Sequence, residues 1–219
     1  RAQDTITRRF VALKYLPKEE ATEEYVGRFQ REAKLLAKLN HDNIVKVYDV
    51  VQQKGCLCFA MELIEGFSLE SLHYQTSRQT GGGIPEEQAR PILVDIVRAL
   101  AAAHVKNILH RDIKPANIMI EEETKRTVLL DFGLARGAGT QTLTKTGAVM
   151  GTLMYLAPEQ IRGKKVSKAT DVYQWGMVAY HLLSDHLPFE DEDDVTMAVL
   201  RTTKRLPHIW EFNDKVSEE

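Results

Sequence analysis

The apolar residues of this chain change period part-way along, and that change limits the possible folds more than any other feature. Phe10-Val11-Ala12-Leu13-Lys14 lies in a strand-like run, Arg8–Leu16, closed by Pro17. Between Thr22 and Leu39, Val26, Phe29, Ala33 and Leu36 recur at steps of three and four, the mark of an amphipathic helix. Ile44–Val51 and Cys56–Leu63 return to strand character, joined at Lys54-Gly55. The opening part therefore reads strand, helix, strand, strand.

After Glu65-Gly66 the character becomes helical. A short helix is expected from about Ser68, then a polar stretch ending in Gly81-Gly82-Gly83, read as a flexible connector. Pro85 opens a long helix reaching about Val105, with Glu86 and Glu87 in its first turn, where the helix dipole favours them. Pro91 inside this run predicts a kink or a later start. Short strands follow near Asn117–Ile120 and Thr127–Leu130. Residues Ala135–Val149 are small, polar and Thr-rich, without a periodic core face. Thr170–Leu183 reads as an apolar helix and Asp191–Thr203 as a more polar one. The sum is an α+β chain: a small strand-rich lobe, then a larger, mainly helical lobe.

Composition enters by exclusion. Over 219 residues, 43% are hydrophobic and 27% charged, which excludes collagen-like, low-complexity and wholly disordered chains. A formal net charge of −2 gives no global attraction to nucleic acid or anionic membrane. Cys56 and Cys58 are the only cysteines, so there is neither a disulfide framework nor a zinc quartet. They read as strand residues suited to a reducing compartment. No stretch approaches the roughly 20 apolar residues of a membrane helix. Arg1-Ala2-Gln3-Asp4 does not open a signal peptide.

Three segments carry chemistry. His110-Arg111-Asp112-Ile113-Lys114-Pro115-Ala116-Asn117 packs a carboxylate, a lysine and an amide into a loop that Pro115 keeps from becoming a continuous helix. Such a set can hold a hydroxyl nucleophile, a phosphate and a metal together. Asp131-Phe132-Gly133 follows the apolar strand Thr127–Leu130, and a carboxylate at a strand end suits Mg²⁺, which takes hard oxygen ligands. Lys14 lies inside a strand, where its charge is costly without a partner. Glu32, in or beside the apolar stripe of the next helix, is the candidate partner.

These residues, in this order, resemble the eukaryotic-like, or Hanks-type, Ser/Thr protein kinase domain. Val11–Lys14 is similar to its V-A-I-K strand, His110–Asn117 to its H-R-D loop, Asp131–Gly133 to D-F-G and Ala157–Glu159 to A-P-E. The wording of His110–Met119 and Gly151–Gln160 is most similar to bacterial members. The resemblance implies a two-lobed fold, with residues 1–64 in the small lobe, 65–219 in the large one and the active site in the cleft between them. It implies ATP- and Mg²⁺-dependent phosphoryl transfer to Ser/Thr hydroxyls of protein substrates, Mn²⁺ being an alternative metal.

By the same resemblance Lys14 holds the α/β-phosphates and pairs with Glu32. Asp112 accepts the hydroxyl proton, Lys114 neutralises the γ-phosphate, and Asn117 and Asp131 hold the metal. Ala12, Met61 and Met119 flank the nucleotide, Met61 as gatekeeper, and Glu62-Leu63-Ile64 is the hinge that meets adenine. Lys114 and Thr152 point to Ser/Thr specificity. Arg111 would meet a phosphate on the Thr-rich segment, with Thr142, Thr144 and Thr146 as acceptors. Asp171 braces the catalytic loop, while Leu36, His110 and Phe132 belong to a hydrophobic stack, His110 being structural.

One part of the pattern is missing: no glycine precedes Lys14. The expectation is that the first strand and glycine-rich loop lie upstream of Arg1, and the family's last helices downstream of Glu219. A chain without that lid is expected to bind ATP weakly and to be marginally stable. The competing readings are a pseudokinase scaffold and, further off, a small-molecule phosphotransferase of kinase-like fold. Expected partners are protein substrates and ATP, without nucleic acid; a homodimer suited to autophosphorylation stays open. The expected location is cytoplasmic, any membrane anchor lying C-terminal to these residues.

Overall fold

The computed structural model of the protein describes residues 1–15, 36–53, 56–132, 150–190 and 192–217. Glu32, Gly133, Thr142, Thr144 and Thr146 lie outside the described residues, as does most of the helix expected over Thr22–Leu39.

The first sheet contains β1 (Ala2–Gln3), β2 (Phe10–Tyr15), β3 (Val47–Gln53) and β4 (Cys56–Glu62), in spatial order β1-β2-β4-β3 and all antiparallel. Register pairs Lys14 with Phe59 and Ala12 with Met61, so the lysine strand lies directly beside the strand that leads out of the lobe. A bulge between Val47 and Asp49 shifts the register of β3 on β4. Cys56 and Cys58 stand in β4, as expected.

A second sheet, β5 (Gly66–Ser68), β6 (Ile118–Glu121) and β7 (Thr127–Leu129), is also antiparallel. In β6, Ile118 and Ile120 are buried while Met119 faces the other side and is half-buried, as strand alternation requires. Residues 43–45 clip onto this sheet: Val45 N–H donates to the Leu129 carbonyl at 3.0 Å, and Leu129 N–H donates to the Asn43 carbonyl at 2.9 Å. The two lobes thus share main-chain hydrogen bonds.

Helices α1 (Leu69–Thr80), α2 (Glu86–Val105), α3 (Pro158–Ile161), α4 (Lys168–Ser184) and α5 (Asp194–Thr203) build the rest. Ala89, Ala99 and Ala103 of α2 are fully buried. Ile96 and Leu100 pack in the same core as Met177, Val178 and Leu182 of α4, and Trp175 Nε1 donates to the Leu93 carbonyl at 3.1 Å. Ser167 caps α4 by accepting from Ala169 N–H at 3.2 Å, and Asp193 caps α5 by accepting from Val195 N–H at 3.0 Å.

Three expectations needed correction. The helix expected from about Ser68 is not short: α1 runs through the polar stretch read as loop as far as Thr80, with Ser68 as N-cap and Gly81 as a left-handed C-cap. Beyond Leu69 and Leu72 its inward face is carried by His73 and by Ser77, whose hydroxyl donates to Asp185 Oδ2 at 2.6 Å, so no apolar period announces its second half. Gly83, the end of the run read as a flexible connector, is packed against the end of α4: a Cβ there would overlap the Leu183 carbonyl, and Ile84 N–H donates to the Leu182 carbonyl at 2.6 Å. Helix α2 starts at Glu86 and passes through Pro91. Pro91 removes the bond that would reach the carbonyl four residues back, yet the start is not delayed.

Candidate active site

The loop before β6 is held by a buried carboxylate. Asp171, in the first turn of α4, is fully buried. Its Oδ2 accepts from His110 N–H at 2.9 Å and its Oδ1 from Arg111 N–H at 2.8 Å, while His104 Nε2 lies 2.7 Å from Oδ2. One turn further on, Gln174 Oε1 accepts from Ile113 N–H at 3.1 Å. Gln160 Nε2 donates to the Arg111 carbonyl at 2.9 Å. Arg111 has φ 67°, a left-handed conformation that costs about 1–3 kcal/mol for a non-glycine residue and persists only where its surroundings fix it. The Asp171 and glutamine contacts do so.

His110 is fully buried, and its tautomer follows from its partners. Nδ1 lies 3.2 Å from Asp112 N–H and must accept, so Nε2 carries the proton and donates to the Leu130 carbonyl at 2.6 Å. Burial holds the ring below the ordinary imidazole range, against the opposing pull of the Leu130 carbonyl and nearby carboxylates. The neutral ring packs on Phe132 with centroids 4.7 Å apart, as a structural member of the site.

This bracing aims the chemistry-bearing side chains. Asn117 Nδ2 donates to the Asp112 carbonyl at 2.8 Å and to Asp112 Oδ2 at 3.0 Å. Lys114 Nζ is 3.4 Å from the same Oδ2. With Nδ2 so engaged, Asn117 Oδ1 accepts no hydrogen bond among the described residues and is available to a cation. Leu130 N–H donates to the Asn117 carbonyl at 2.8 Å, which ties Asn117 to the residue preceding Asp131. Asp131 itself has φ 46°. Its Oδ2 meets Lys14 Nζ at 2.6 Å, so the strand lysine of one lobe reaches the carboxylate of the other. The oxygen-donor set of Asn117 and Asp131 fits Mg²⁺.

A narrow recess beneath Lys14 and Asp131 is lined by Leu36, Val45, Val47, Phe59, Met61 and Phe132. Leu36 and Phe132 therefore meet there, with His110 behind Phe132. Met61 and Ala12 are cross-strand partners at the same edge of the site. Glu62 ends β4, Leu63 and Ile64 follow as the link into β5, and Met119 lies on the half-buried face of β6. Thr152 falls in a 3-10 turn, Met150–Tyr155. A cavity of about 830 Å³ lies elsewhere, between residues 80–87, 184–186 and 212–217, and is lined by none of the predicted site residues.

A family model described as protein kinase domain matches residues 1–219. The chain belongs to the protein kinase family. This kinase domain is 37% identical over 218 residues to the serine/threonine-protein kinase PrkC of Bacillus subtilis, covering 99% of the chain and 33% of that protein. It is 40% identical over 203 residues to the serine/threonine-protein kinase PknB of Mycobacterium leprae, covering 90% and 32% respectively. The chain thus spans about a third of the length of these relatives. Among solved structures, the PknI kinase domain of Mycobacterium tuberculosis superposes with a TM-score of 0.70 at 28% identity, covering 94% of this chain and 72% of that one. A double mutant of the same PknI domain gives 0.74 at 26% identity, with 97% and 75% covered.

Sequence reasoning missed Gln160 and Gln174. The available signal was a second polar residue, three positions after Asp171, on an otherwise apolar helix. It also missed Arg126, in the turn between β6 and β7, which reads from sequence as an ordinary exposed turn residue.

Proposed function

We propose that this domain catalyses ATP-dependent phosphorylation of Ser/Thr hydroxyls on protein substrates. The observation that carries the proposal is the Lys14–Asp131 contact across the lobes, set beside the Asp112–Lys114–Asn117 cluster. A cation-binding amide, two carboxylates and two ammonium groups converge from separate elements on one cleft. Phosphoryl transfer asks for that: positioning and charge neutralisation in place of a covalent intermediate.

In this reading Glu62–Ile64 receives the adenine base, flanked by Ala12, Met61 and Met119. Lys14 binds the α/β-phosphates and Glu32 supports it. Asp112 orients the substrate hydroxyl and takes its proton as the oxygen attacks the γ-phosphorus and the bond to the leaving ADP oxygen breaks. Lys114 offsets charge on the transferred group. A divalent cation, Mg²⁺ or Mn²⁺, held by Asn117 Oδ1 and Asp131 would neutralise the phosphate oxygens. Arg111, next to Asp112, would order the Thr-rich segment once Thr144 or Thr146 carries phosphate, with Thr142 as a further acceptor. We take residues 1–64 and 65–219 as the two lobes.

The test is intact mass before and after incubation with Mg-ATP, beside Asp112→Asn. Mass added in steps of one phosphate is expected for the wild type. The variant should incorporate it about 10²–10⁴ times more slowly while still binding ATP. Peptide mapping should place phosphate on the Thr142–Thr146 cluster. A wild type that binds ATP yet gains no mass, with or without a general protein substrate, would establish the scaffold reading instead.

A further inference from the structure

The chemistry above leaves unused a charge cluster where the two lobes join. Arg126 Nη2 reaches Glu62 Oε1 at 2.6 Å and Glu121 Oε1 at 3.2 Å. Its Nε donates to Glu121 Oε2 at 3.3 Å and its Nη1 to the Asp42 carbonyl at 3.1 Å. One guanidinium thus bonds to the last residue of β4, to the loop before β3 and to its own hairpin. The second oxygen of Glu62 accepts from Lys46 N–H at 3.3 Å. Asn43 Nδ2, beside this cluster, donates to the Thr127 carbonyl at 2.8 Å.

Two features separate this cluster from a solvated surface pair. The side chains of Arg126, Glu62 and Glu121 keep only 25%, 23% and 22% of their exposure, so bulk water and salt screen them incompletely. The arrangement also uses the planar fork of arginine, with Nη1, Nη2 and Nε all engaged. A lysine ammonium, a single point of charge, cannot reproduce it.

We propose that Arg126 is a positioning residue for nucleotide binding: by holding the Glu62 side chain it fixes the orientation of the link Glu62–Ile64 between the lobes. This rests on the kinase reading above, in which that link receives adenine. The chain crosses from β4 to β5 only once, through residues 63–65. A rotation of the lobes about that crossing must pull Glu62 away from Arg126. Without the contact the lobes sample more orientations, fewer of them competent, and the apparent dissociation constant for ATP rises as the competent fraction falls. Asp112, Lys114 and Asn117 keep their mutual contacts, because those lie wholly within the other lobe. Turnover at saturating ATP should therefore change little.

The test compares wild type, Arg126→Ala, Arg126→Lys, Glu62→Gln and the Arg126→Ala/Glu62→Gln double variant. ATP affinity is measured by calorimetry with Mg²⁺ present, and KM for ATP and kcat by steady-state kinetics. Arg126→Ala should raise the Kd and KM for ATP about three- to tenfold with kcat within about twofold. Arg126→Lys should recover only part of that loss and supplies the readout should the alanine variant not fold. The double variant should be no worse than Arg126→Ala alone, since both remove one contact. Unchanged ATP affinity in both Arg126 variants, even with a lowered melting temperature, overturns the inference, and so do additive effects. A wild type that binds ATP but transfers no phosphate removes the enzymatic reading while leaving the affinity comparison intact. A wild type that binds no ATP overturns both.

Discussion

Asp171→Ala is the substitution whose consequences the structure specifies most fully. The side chain has no solvent contact and accepts from His110 N–H, Arg111 N–H and the His104 ring. Truncation leaves two backbone donors without acceptors in a site too closed for free hydration. Each orphaned donor costs about 1–3 kcal/mol, so the loss is about 2–6 kcal/mol before the His104 contact is counted. Against a typical domain stability of about 5–15 kcal/mol that is a large fraction. Asp171→Asn should cost less. Its amide oxygen still serves Arg111 N–H, His104 can change tautomer to accept from the new amide, and only His110 N–H is orphaned. Function should suffer separately from stability. Arg111 sits at φ 67° because these bonds hold it, and Asp112 is the next residue. A shift of about 1 Å in a catalytic group costs about 10²-fold in rate. The assay is a urea midpoint together with kcat and KM for ATP. Stability in the order wild type, Asp171→Asn, Asp171→Ala is expected, with kcat down about 10²-fold for alanine and KM for ATP little changed, since Lys14 and residues 61–64 stand on other elements. An alanine variant that unfolds at the wild-type midpoint, or one that unfolds earlier yet keeps wild-type kcat, would refute the reasoning.

Two further outcomes follow from packing and titration. Gly83→Ala should lower stability by about 1–3 kcal/mol, because the new Cβ meets the backbone of Leu182 and Leu183, which cannot move aside cheaply. Gly82→Ala, facing open space, should change the urea midpoint little, and equal midpoints for both variants would disprove the packing account. The second outcome concerns His181, whose Nδ1 pairs with Tyr155 OH at 2.7 Å and whose ring meets His73 edge-on at 4.3 Å. Burial first, and then His73 and His186, hold it down to about 3, against the raising influence of Asp185. A histidine neutral in the fold takes up its proton on unfolding, so its contribution is complete above about pH 6.5 and is lost progressively as pH falls toward 3. Across that window the slope for one such group approaches about 1.4 kcal/mol per pH unit. Urea midpoints at several pH values below neutrality should fall accordingly, and His181→Phe should flatten the fall; an unflattened profile would remove His181 as its cause.

The sequence was most readable where local pattern and tertiary need agree. Strands β2, β4, β6 and β7 and helices α2, α4 and α5 lie within a few residues of their expected bounds, because each has an apolar face of the right period. The proposed site residues Lys14, Asp112, Lys114, Asn117 and Asp131 stand out in the sequence because three short segments carry them in a recognisable order. What failed to show was polar and distant. The second half of α1 has no apolar stripe to read, since Ser77 is satisfied by Asp185, far along the chain. Gly83 looks like a linker residue until the Leu183 carbonyl stands against it.

By itself, the sequence determined an α+β chain with two kinds of lobe and a set of charged residues suited to phosphoryl transfer. Period and residue type are local properties, and they survive in the unfolded chain. Tertiary structure alone decided that Asp171, Gln160 and Gln174 share the task of holding the Arg111–Ile113 backbone. It decided which proton His110 keeps, that Lys14 meets Asp131 across the cleft, and that Arg126 joins Glu62 to the other lobe. Each of these depends on one donor finding one acceptor across a long stretch of chain. Hydrogen bonds and ion pairs act over a few ångströms, so their partners are fixed only once packing has brought the elements together.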